Sequence, residues 1–190
     1  MRNSALFRWM RAVAFAFAAC NAPHAIADEV IPTSTPEAAG EPFSGYNELC
    51  GYKMVTDNTV HVSLATVDPS GTPLIVLDPR LDAPWEKHRR VFLIAHECAH
   101  HRLGHVTPDN LALRSVSRGA VRDQEMSADC WAAEQLAQIG EDRTVQVMMD
   151  RFFKSGFYSP GGGYPSGLQR STIIRECADI GRSKRASRKD

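Results

Sequence analysis

Apolar and polar positions alternate in the first half of the chain and recur at helical spacing in the second half. Residues 59–66 alternate between apolar and polar side chains, which is the pattern of a half-buried strand. A turn sequence, Asp-Pro-Ser-Gly, follows at 68–71, and the apolar segment PLIVL occupies 73–77. This order of strand, turn and strand predicts an antiparallel hairpin.

The remainder of the chain shows the spacing and the stop signals of helices. The first predicted helix begins near Asp82, has Pro84 in its first turn and ends before Gly104, and its apolar first half predicts that it is buried. Three further helices are predicted, at about 122–139, 143–154 and 168–180. With 190 residues, the chain has room for one domain with a core. We therefore expect a single α+β domain at 46–181, with a small antiparallel sheet and a helical body.

The N-terminal segment has the three zones of a secretory signal peptide. Residues 1–27 contain three arginines and no acid, an apolar stretch at 12–19, and an Ala-Ile-Ala sequence directly before Asp28. Two alternatives remain open. The first is a membrane anchor, although the apolar stretch is shorter than the ~20 residues of a spanning helix. The second is a lipoprotein signal that would leave Cys20 as a lipidated N-terminus. With the leader removed, we expect an exported protein, periplasmic or secreted, with no transmembrane segment.

The segments flanking the domain are predicted to lack regular structure. Residues 28–45 contain scattered prolines without any periodicity, and we interpret them as a flexible lead-in. Residues 182–190 are predominantly basic and are predicted to form a disordered tail. The whole chain carries no net charge, which gives no indication of nucleic-acid binding.

Export would place four cysteines of the mature chain in an oxidising compartment, where two disulfides are expected. They are Cys50, Cys98, Cys130 and Cys177, and all three connectivities are open. Helical geometry puts Cys98 about 200° from His96, which weighs against Cys98 as a metal ligand and weakly against a bridge from Cys98 to Cys130. The alternative is that all four are free, buried thiols.

The first helix contains the sequence His96-Glu97-Cys98-Ala99-His100. Two histidines four residues apart project from one helix face, about 40° apart, so both can offer a nitrogen to one metal ion. Glu97 lies within the same arc and can reach a water molecule on that metal. The motif therefore predicts a hydrolytic metal site.

A catalytic zinc ion needs a third protein ligand, with a fourth position left for water. His105 is one candidate, but its spacing and that of Gly104 differ from the extended histidine motif of metzincins. Glu125 is the better candidate, because it lies on a separate predicted helix with Asp129 one turn later on the same face. Asp129 would then accept a hydrogen bond from a ligand imidazole. The alternative for this acidic pair is an exposed helix face.

Together, His96-Glu97-x-x-His100 and Glu125-x-x-x-Asp129 resemble the gluzincin metallopeptidases. The sequence around them resembles small soluble relatives of the HtpX-like and CAAX prenyl protease group over about residues 73–180. The resemblance implies a zincin-like domain with one catalytic Zn²⁺. It also implies that a strand at about 73–77 lines the cleft and pairs with an extended peptide substrate.

One position departs from the pattern of this group, which tends to have a histidine before a proline and an arginine further on. Here Tyr164 precedes Pro165, and the arginine corresponds to Arg170. The Tyr164 phenol could donate a hydrogen bond to a developing oxyanion. The alternative is that Tyr164 only packs.

These observations predict a zinc-dependent metalloendopeptidase acting on envelope or extracellular proteins. Its ligands would be His96, His100 and Glu125, with Glu97 as the general base and Asp129 as the residue that orients a ligand. The alternative function is a non-catalytic, zinc-stabilised binding protein or lipoprotein of the cell envelope.

Overall fold

The computed structural model describes residues 49–188. The predicted signal peptide at 1–27, the lead-in at 28–45 and Cys20, the candidate lipidation site, lie outside the described residues. Within the described part, the α+β class is confirmed, because three strands precede five α-helices.

The sheet consists of three strands in the order β1-β3-β2, namely β1 (Lys53–Thr56), β2 (Leu64–Val67) and β3 (Pro73–Leu77). β2 and β3 form the predicted antiparallel hairpin, although β2 begins at Leu64 and not at residue 59. The prediction of a purely antiparallel sheet is wrong, because β1 pairs with β3 in parallel. β1 has only four residues, of which only Met54 is fully buried, so its sequence shows too little alternation to predict a strand.

The position of β3 also corrects the predicted cleft strand. β3 lies in the centre of the sheet with a partner strand on each side, so its backbone hydrogen-bonding groups are occupied along both edges. A peptide cannot be added to such a strand. Within the described residues, the sheet edges are formed by β1 and β2.

The helices are α1 (Lys87–Arg102), α2 (Pro108–Val116), α3 (Arg118–Ile139), α4 (Asp142–Ser155) and α5 (Gly167–Ser187). α1 starts later than predicted, because two short 3₁₀ turns, Pro79–Asp82 and Pro84–Glu86, precede it. Each turn begins with a proline, which suits a first helical position but cannot donate a backbone hydrogen bond. Among residues 49–188, no helix is long and apolar enough to cross a membrane.

The segment between α1 and α3 contains a helix, α2, although the sequence predicts no helix between Gly104 and residue 122. α2 starts with Pro108 after Thr107 and contains no buried residue, so it lacks the apolar face by which helices are recognised. Ser117 then caps α3 by accepting a hydrogen bond from the Ala120 backbone N–H, so α3 begins four residues before its predicted start.

The predicted disordered tail is also corrected, because α5 continues to Ser187. Three contacts explain the extension. Gly181 lies so close to the Glu134 backbone of α3 that a Cβ atom would overlap it. Lys184 and Arg185 then form ion pairs with Glu134 and Asp142, so the basic residues bind acids of neighbouring helices.

α1 lies between two hydrophobic clusters. Ile94 and Cys98 pack with the sheet cluster, which includes Met54, Ile75 and Leu77. Phe92 and Ala95 pack with the helical cluster, which contains buried residues of α3, α4 and α5. The part of α1 from Phe92 to Cys98 is therefore buried between the sheet and the helical body.

The two predicted disulfides are confirmed, and the structure supplies their connectivity. Cys50 pairs with Cys98, which ties the segment before β1 to α1, and Cys130 pairs with Cys177, which ties α3 to α5. Both agree with the expectation that Cys98 and Cys130 do not pair with each other. Each disulfide is carried by a helix that also bears residues of the predicted metal site.

Candidate metal centre

Three buried side chains with metal-binding atoms converge where α1 faces α3. They are His96, His100 and Glu125, the three residues that the sequence predicts as ligands. His96 Nε2 lies 3.1 Å from His100 Nε2 and 3.3 Å from Glu125 Oε2. His100 Nε2 lies 3.7 Å from Glu125 Oε1. This group could hold a metal ion.

The burial pattern of α3 explains why its acids point inward. Its buried positions recur at helical spacing from Val121 to Ala137 and form one stripe along the helix. Glu125 and Asp129 lie on the first half of this stripe, and the second half packs into the helical cluster. The predicted alternative of an exposed acidic face is therefore wrong, since Glu125 is 4% exposed and Asp129 is fully buried.

Asp129 connects the site to α5. Its Oδ1 lies 2.9 Å from His96 Nδ1, the ring nitrogen opposite the one that faces the cluster. Arg170 donates two hydrogen bonds to the same carboxylate, from Nε to Oδ2 and from Nη2 to Oδ1, both at 2.6 Å. A carboxylate held in this way fixes the tautomer and the orientation of His96.

His105 contacts His100 and is not part of the three-residue group. Gly104, which has a φ angle of +72°, ends α1 and turns the chain so that His105 Nδ1 lies 3.0 Å from His100 Nδ1. The other ring nitrogen of His105 lies 3.4 Å from Ser127 Oγ. His105 therefore contacts the ring nitrogen of His100 that faces away from the three-residue group, and it can orient His100 as Asp129 orients His96. His101 points elsewhere, to the Leu74 carbonyl oxygen.

Glu97 is buried beside the group and in contact with the sheet. Its carboxylate accepts a hydrogen bond from the backbone N–H of Ala65 in β2. Burial raises the pKa of Glu97 to about 7, and this outweighs the opposing effect of a charged His96. At neutral pH, a carboxyl group with this pKa can both accept and return a proton.

The carboxylates around the group favour a positive charge among its side chains. Burial lowers the pKa of His100 to about 3. Burial also acts to lower the pKa of His96, but Asp129 and Glu125 outweigh it and raise the value to about 10. The pKa values of both of these acids are lowered, because their contacts with His96 and nearby arginines outweigh the effect of burial. The neighbouring carboxylates of Glu125 and Asp129 therefore stabilise positive charge at His96.

Arg114 of α2 is a site residue that the sequence does not reveal. Its Nη2 donates to Glu125 Oε1 at 2.6 Å and to Tyr164 Oη at 3.0 Å, and its Nη1 donates to Gln124 Oε1 at 3.2 Å. Tyr164 thereby reaches the edge of the site, with 38% of its surface exposed. No motif identifies Arg114, because it lies on a helix without a buried apolar face.

Comparisons of this chain with protein-family models, with curated proteins and with solved structures found no match. The function must therefore be argued from the chemistry of the site.

Proposed function

We propose that this protein is a zinc-dependent metalloendopeptidase with a zincin-like active site. The observation that carries this proposal is the placement of a buried Glu97 carboxyl group beside His96, His100 and Glu125. Three ligand-type side chains next to one acid of raised pKa are what metal-assisted hydrolysis requires.

The donor atoms suit zinc in chemistry and in spacing. Zinc favours imidazole nitrogen and carboxylate oxygen at about 2.0–2.2 Å in tetrahedral geometry, and the edge of such a tetrahedron is about 3.3–3.6 Å. The separation of 3.1 Å between the two imidazole nitrogens and that of 3.3 Å from His96 Nε2 to Glu125 Oε2 lie close to this value. A zinc-bound imidazole usually has a hydrogen-bonding partner at its other ring nitrogen. Asp129 provides this partner for His96, and His105 provides it for His100.

The charge balance of the buried side chains also favours a cation. Glu97, Glu125 and Asp129 provide three carboxyl groups, and the guanidinium groups of Arg114 and Arg170 contact two of them. Within residues 49–188 no guanidinium group forms an ion pair with Glu97, whose pKa is raised to about 7 by burial. A divalent ion between the two histidines would supply the positive charge that the carboxylates of Glu125 and Asp129 stabilise.

Zinc, when bound, lowers the pKa of water and polarises a substrate carbonyl group. Glu97 takes the proton of the water that attacks the peptide carbonyl carbon and passes it to the amide nitrogen as the C–N bond breaks. Asp129 and Arg170 hold His96 in one orientation throughout. In this proposal the Tyr164 hydroxyl donates to the oxyanion that forms on the carbonyl oxygen.

The arrangement of β2 supports an extended peptide as the substrate. Alternate residues of a strand direct their backbone groups to opposite sides, and Ala65 directs its N–H toward Glu97 and away from β3. The edge of β2 that is not paired with β3 therefore lies beside the acid, and a substrate strand added along that edge would come next to Glu97. The resemblance assigned this task to residues 73–77, which occupy the centre of the sheet.

The proposed location is outside the cytoplasm, either periplasmic or secreted. The disulfides Cys50–Cys98 and Cys130–Cys177 support it, because such bonds persist in oxidising compartments. The substrates would then be envelope or extracellular proteins.

The test is a comparison of wild-type protein with Glu97→Gln, using Glu176→Gln as the control. Glu176 is an exposed glutamate on α5, so its replacement changes the charge equally without affecting the site. We expect about one zinc ion per chain in all three proteins by elemental analysis. A peptide library should be cleaved by the wild type and by Glu176→Gln, and not by Glu97→Gln.

Two outcomes would contradict the proposal in different ways. Wild-type protein with bound zinc and no cleavage would support the alternative of a non-catalytic, zinc-stabilised envelope binding protein. Zinc that is lost in His105→Ala and retained in Glu125→Ala would overturn the ligand assignment.

A further inference from the structure

Arg114 approaches the metal centre from the least buried helix of the described chain. α2 has no buried residue, and Leu111, Leu113 and Val116 are exposed on it. The Arg114 side chain is itself only 23% exposed, because it extends from α2 onto Glu125. Its position therefore cannot be explained by packing of its own helix.

The two oxygens of Glu125 have different partners. Oε1 accepts the 2.6 Å hydrogen bond from Arg114 Nη2, whereas Oε2 lies closest to His96 Nε2, at 3.3 Å. A hydrogen bond to a guanidinium group occupies one side of a carboxylate and weakens that oxygen as a metal ligand. Only Oε2 then remains free to bind a metal ion strongly.

The contact with Tyr164 uses the second hydrogen of the same nitrogen. Arg114 Nη2 carries two N–H groups, and they serve Glu125 Oε1 and Tyr164 Oη. Since Tyr164 accepts this bond, its own O–H must point to a different partner. The guanidinium group also lies over the Tyr164 ring, 5.5 Å from its centre, which restricts the phenol further.

We propose that Arg114 is a positioning residue that limits Glu125 to one metal-binding oxygen and holds the Tyr164 hydroxyl at the edge of the site. One-oxygen binding by Glu125 leaves a coordination position for water, which a catalytic metal needs and a two-oxygen carboxylate would occupy. This inference rests on the proposed metal site, and it adds a helix that no sequence motif connects with that site.

The experiment compares Arg114→Met, Arg114→Lys and Tyr164→Phe with the wild type. Arg151→Met is the control, because Arg151 is an exposed arginine of α4. Each protein is loaded with Co²⁺ in place of zinc, and the visible absorption bands of the metal report its coordination number. Cleavage of a peptide by the zinc form is measured separately as kcat and KM, and circular dichroism verifies folding.

We expect Arg114→Met to weaken the cobalt bands, as Glu125 binds with both oxygens, and to lower kcat about 10–100-fold with little change in KM. Arg114→Lys should behave similarly, because an ammonium group cannot form the same planar set of contacts. Tyr164→Phe should have the wild-type cobalt spectrum and a lower kcat. Arg151→Met should match the wild type in every measurement.

A wild-type cobalt spectrum in both Arg114 variants would overturn the inference while leaving the proposed function intact. If the wild type takes up neither zinc nor cobalt, the proposed function fails and this inference fails with it. If the wild type binds cobalt and cleaves nothing, only the proposed peptidase activity fails, because the spectra still test the role of Arg114 at Glu125.

Discussion

Replacing Asp129 with asparagine should destabilise the protein strongly, although the two side chains have nearly the same shape. Asp129 is fully buried and accepts hydrogen bonds from His96 and twice from Arg170. Asparagine keeps one acceptor oxygen, but its amide group would face the N–H donors of the guanidinium. Arg170 would thereby lose its only direct ionic partner among the described side chains.

The expected magnitude follows from the burial of this pair. Removing one member of a buried ion pair costs about 3–5 kcal/mol, because the other charge stays buried without a partner. Arg170 is also attracted by Glu97 and Glu125, which places the loss near the lower end, at about 3 kcal/mol. In a domain of this size, such a loss lowers Tm by about 10 °C.

The assay is urea denaturation of the metal-free protein, with thermal melting as a second measurement. Asp123→Asn is the control, because Asp123 is an exposed acid on the same helix. The double variant Asp129→Asn/Arg170→Met should recover a large part of the lost stability, since it leaves no charge without a partner. A loss below about 1 kcal/mol in Asp129→Asn, or strictly additive effects in the double variant, would refute the reasoning.

Three further predictions test other parts of the structure. The pKa of Asp142 is lowered, because its contacts with the α5 arginines outweigh the opposing effect of burial. Its contribution to stability is therefore present above about pH 4 and is lost as the pH falls through its folded-state pKa. Because its side chain is 43% exposed, Asp142→Asn should cost only about 0.2–1 kcal/mol at pH 7 and progressively less below about pH 4, measured by thermal melting. Replacing both Cys130 and Cys177 with alanine should lower the free energy of unfolding by roughly 2–4 kcal/mol in urea denaturation, and a variant as stable as the oxidised wild type would contradict the pairing. Removal of the proposed zinc ion with a chelator should leave the far-UV circular dichroism spectrum unchanged, because the hydrophobic clusters contain none of the proposed metal ligands. It should also lower Tm, because an ion that binds only the folded state stabilises that state. Collapse of the helical signal would contradict this prediction.

The sequence predicts best those features that depend on spacing within one helix. His96, Glu97 and His100 share a face because of helical geometry, and the interval from Glu125 to Asp129 places two acids on one stripe. These relations survive errors of several residues at the helix ends, and α1 and α3 do begin at different residues from those predicted. Periodicity is therefore sufficient to assemble the predicted ligand set.

Features that depend on distant parts of the chain could not be predicted in the same way. The parallel pairing of β1 with β3 joins segments about twenty residues apart, and neither strand carries a signal for its partner. Arg170 reaches Asp129 because the turn after α4 returns α5 to α3, with Gly167 packed against the Phe152 carbonyl oxygen. Arg114 belongs to a helix without a buried face, so hydrophobic periodicity does not detect it.

The two disulfides cross-link the helices that carry the proposed ligands, whereas α2, which carries Arg114, has no such cross-link. Cys98 lies inside the motif of α1 and Cys130 directly follows Asp129, so each ligand-bearing helix is cross-linked on a face turned away from its ligands. A catalytic constellation needs such support, because errors of less than 1 Å in ligand position are costly. α2 carries no cysteine and no buried residue, and it contributes only the side chain of Arg114 to the centre. The histidines are thus held by cross-linked helices, whereas the proposed restriction of Glu125 to one metal-binding oxygen depends on a helix that has no buried residue.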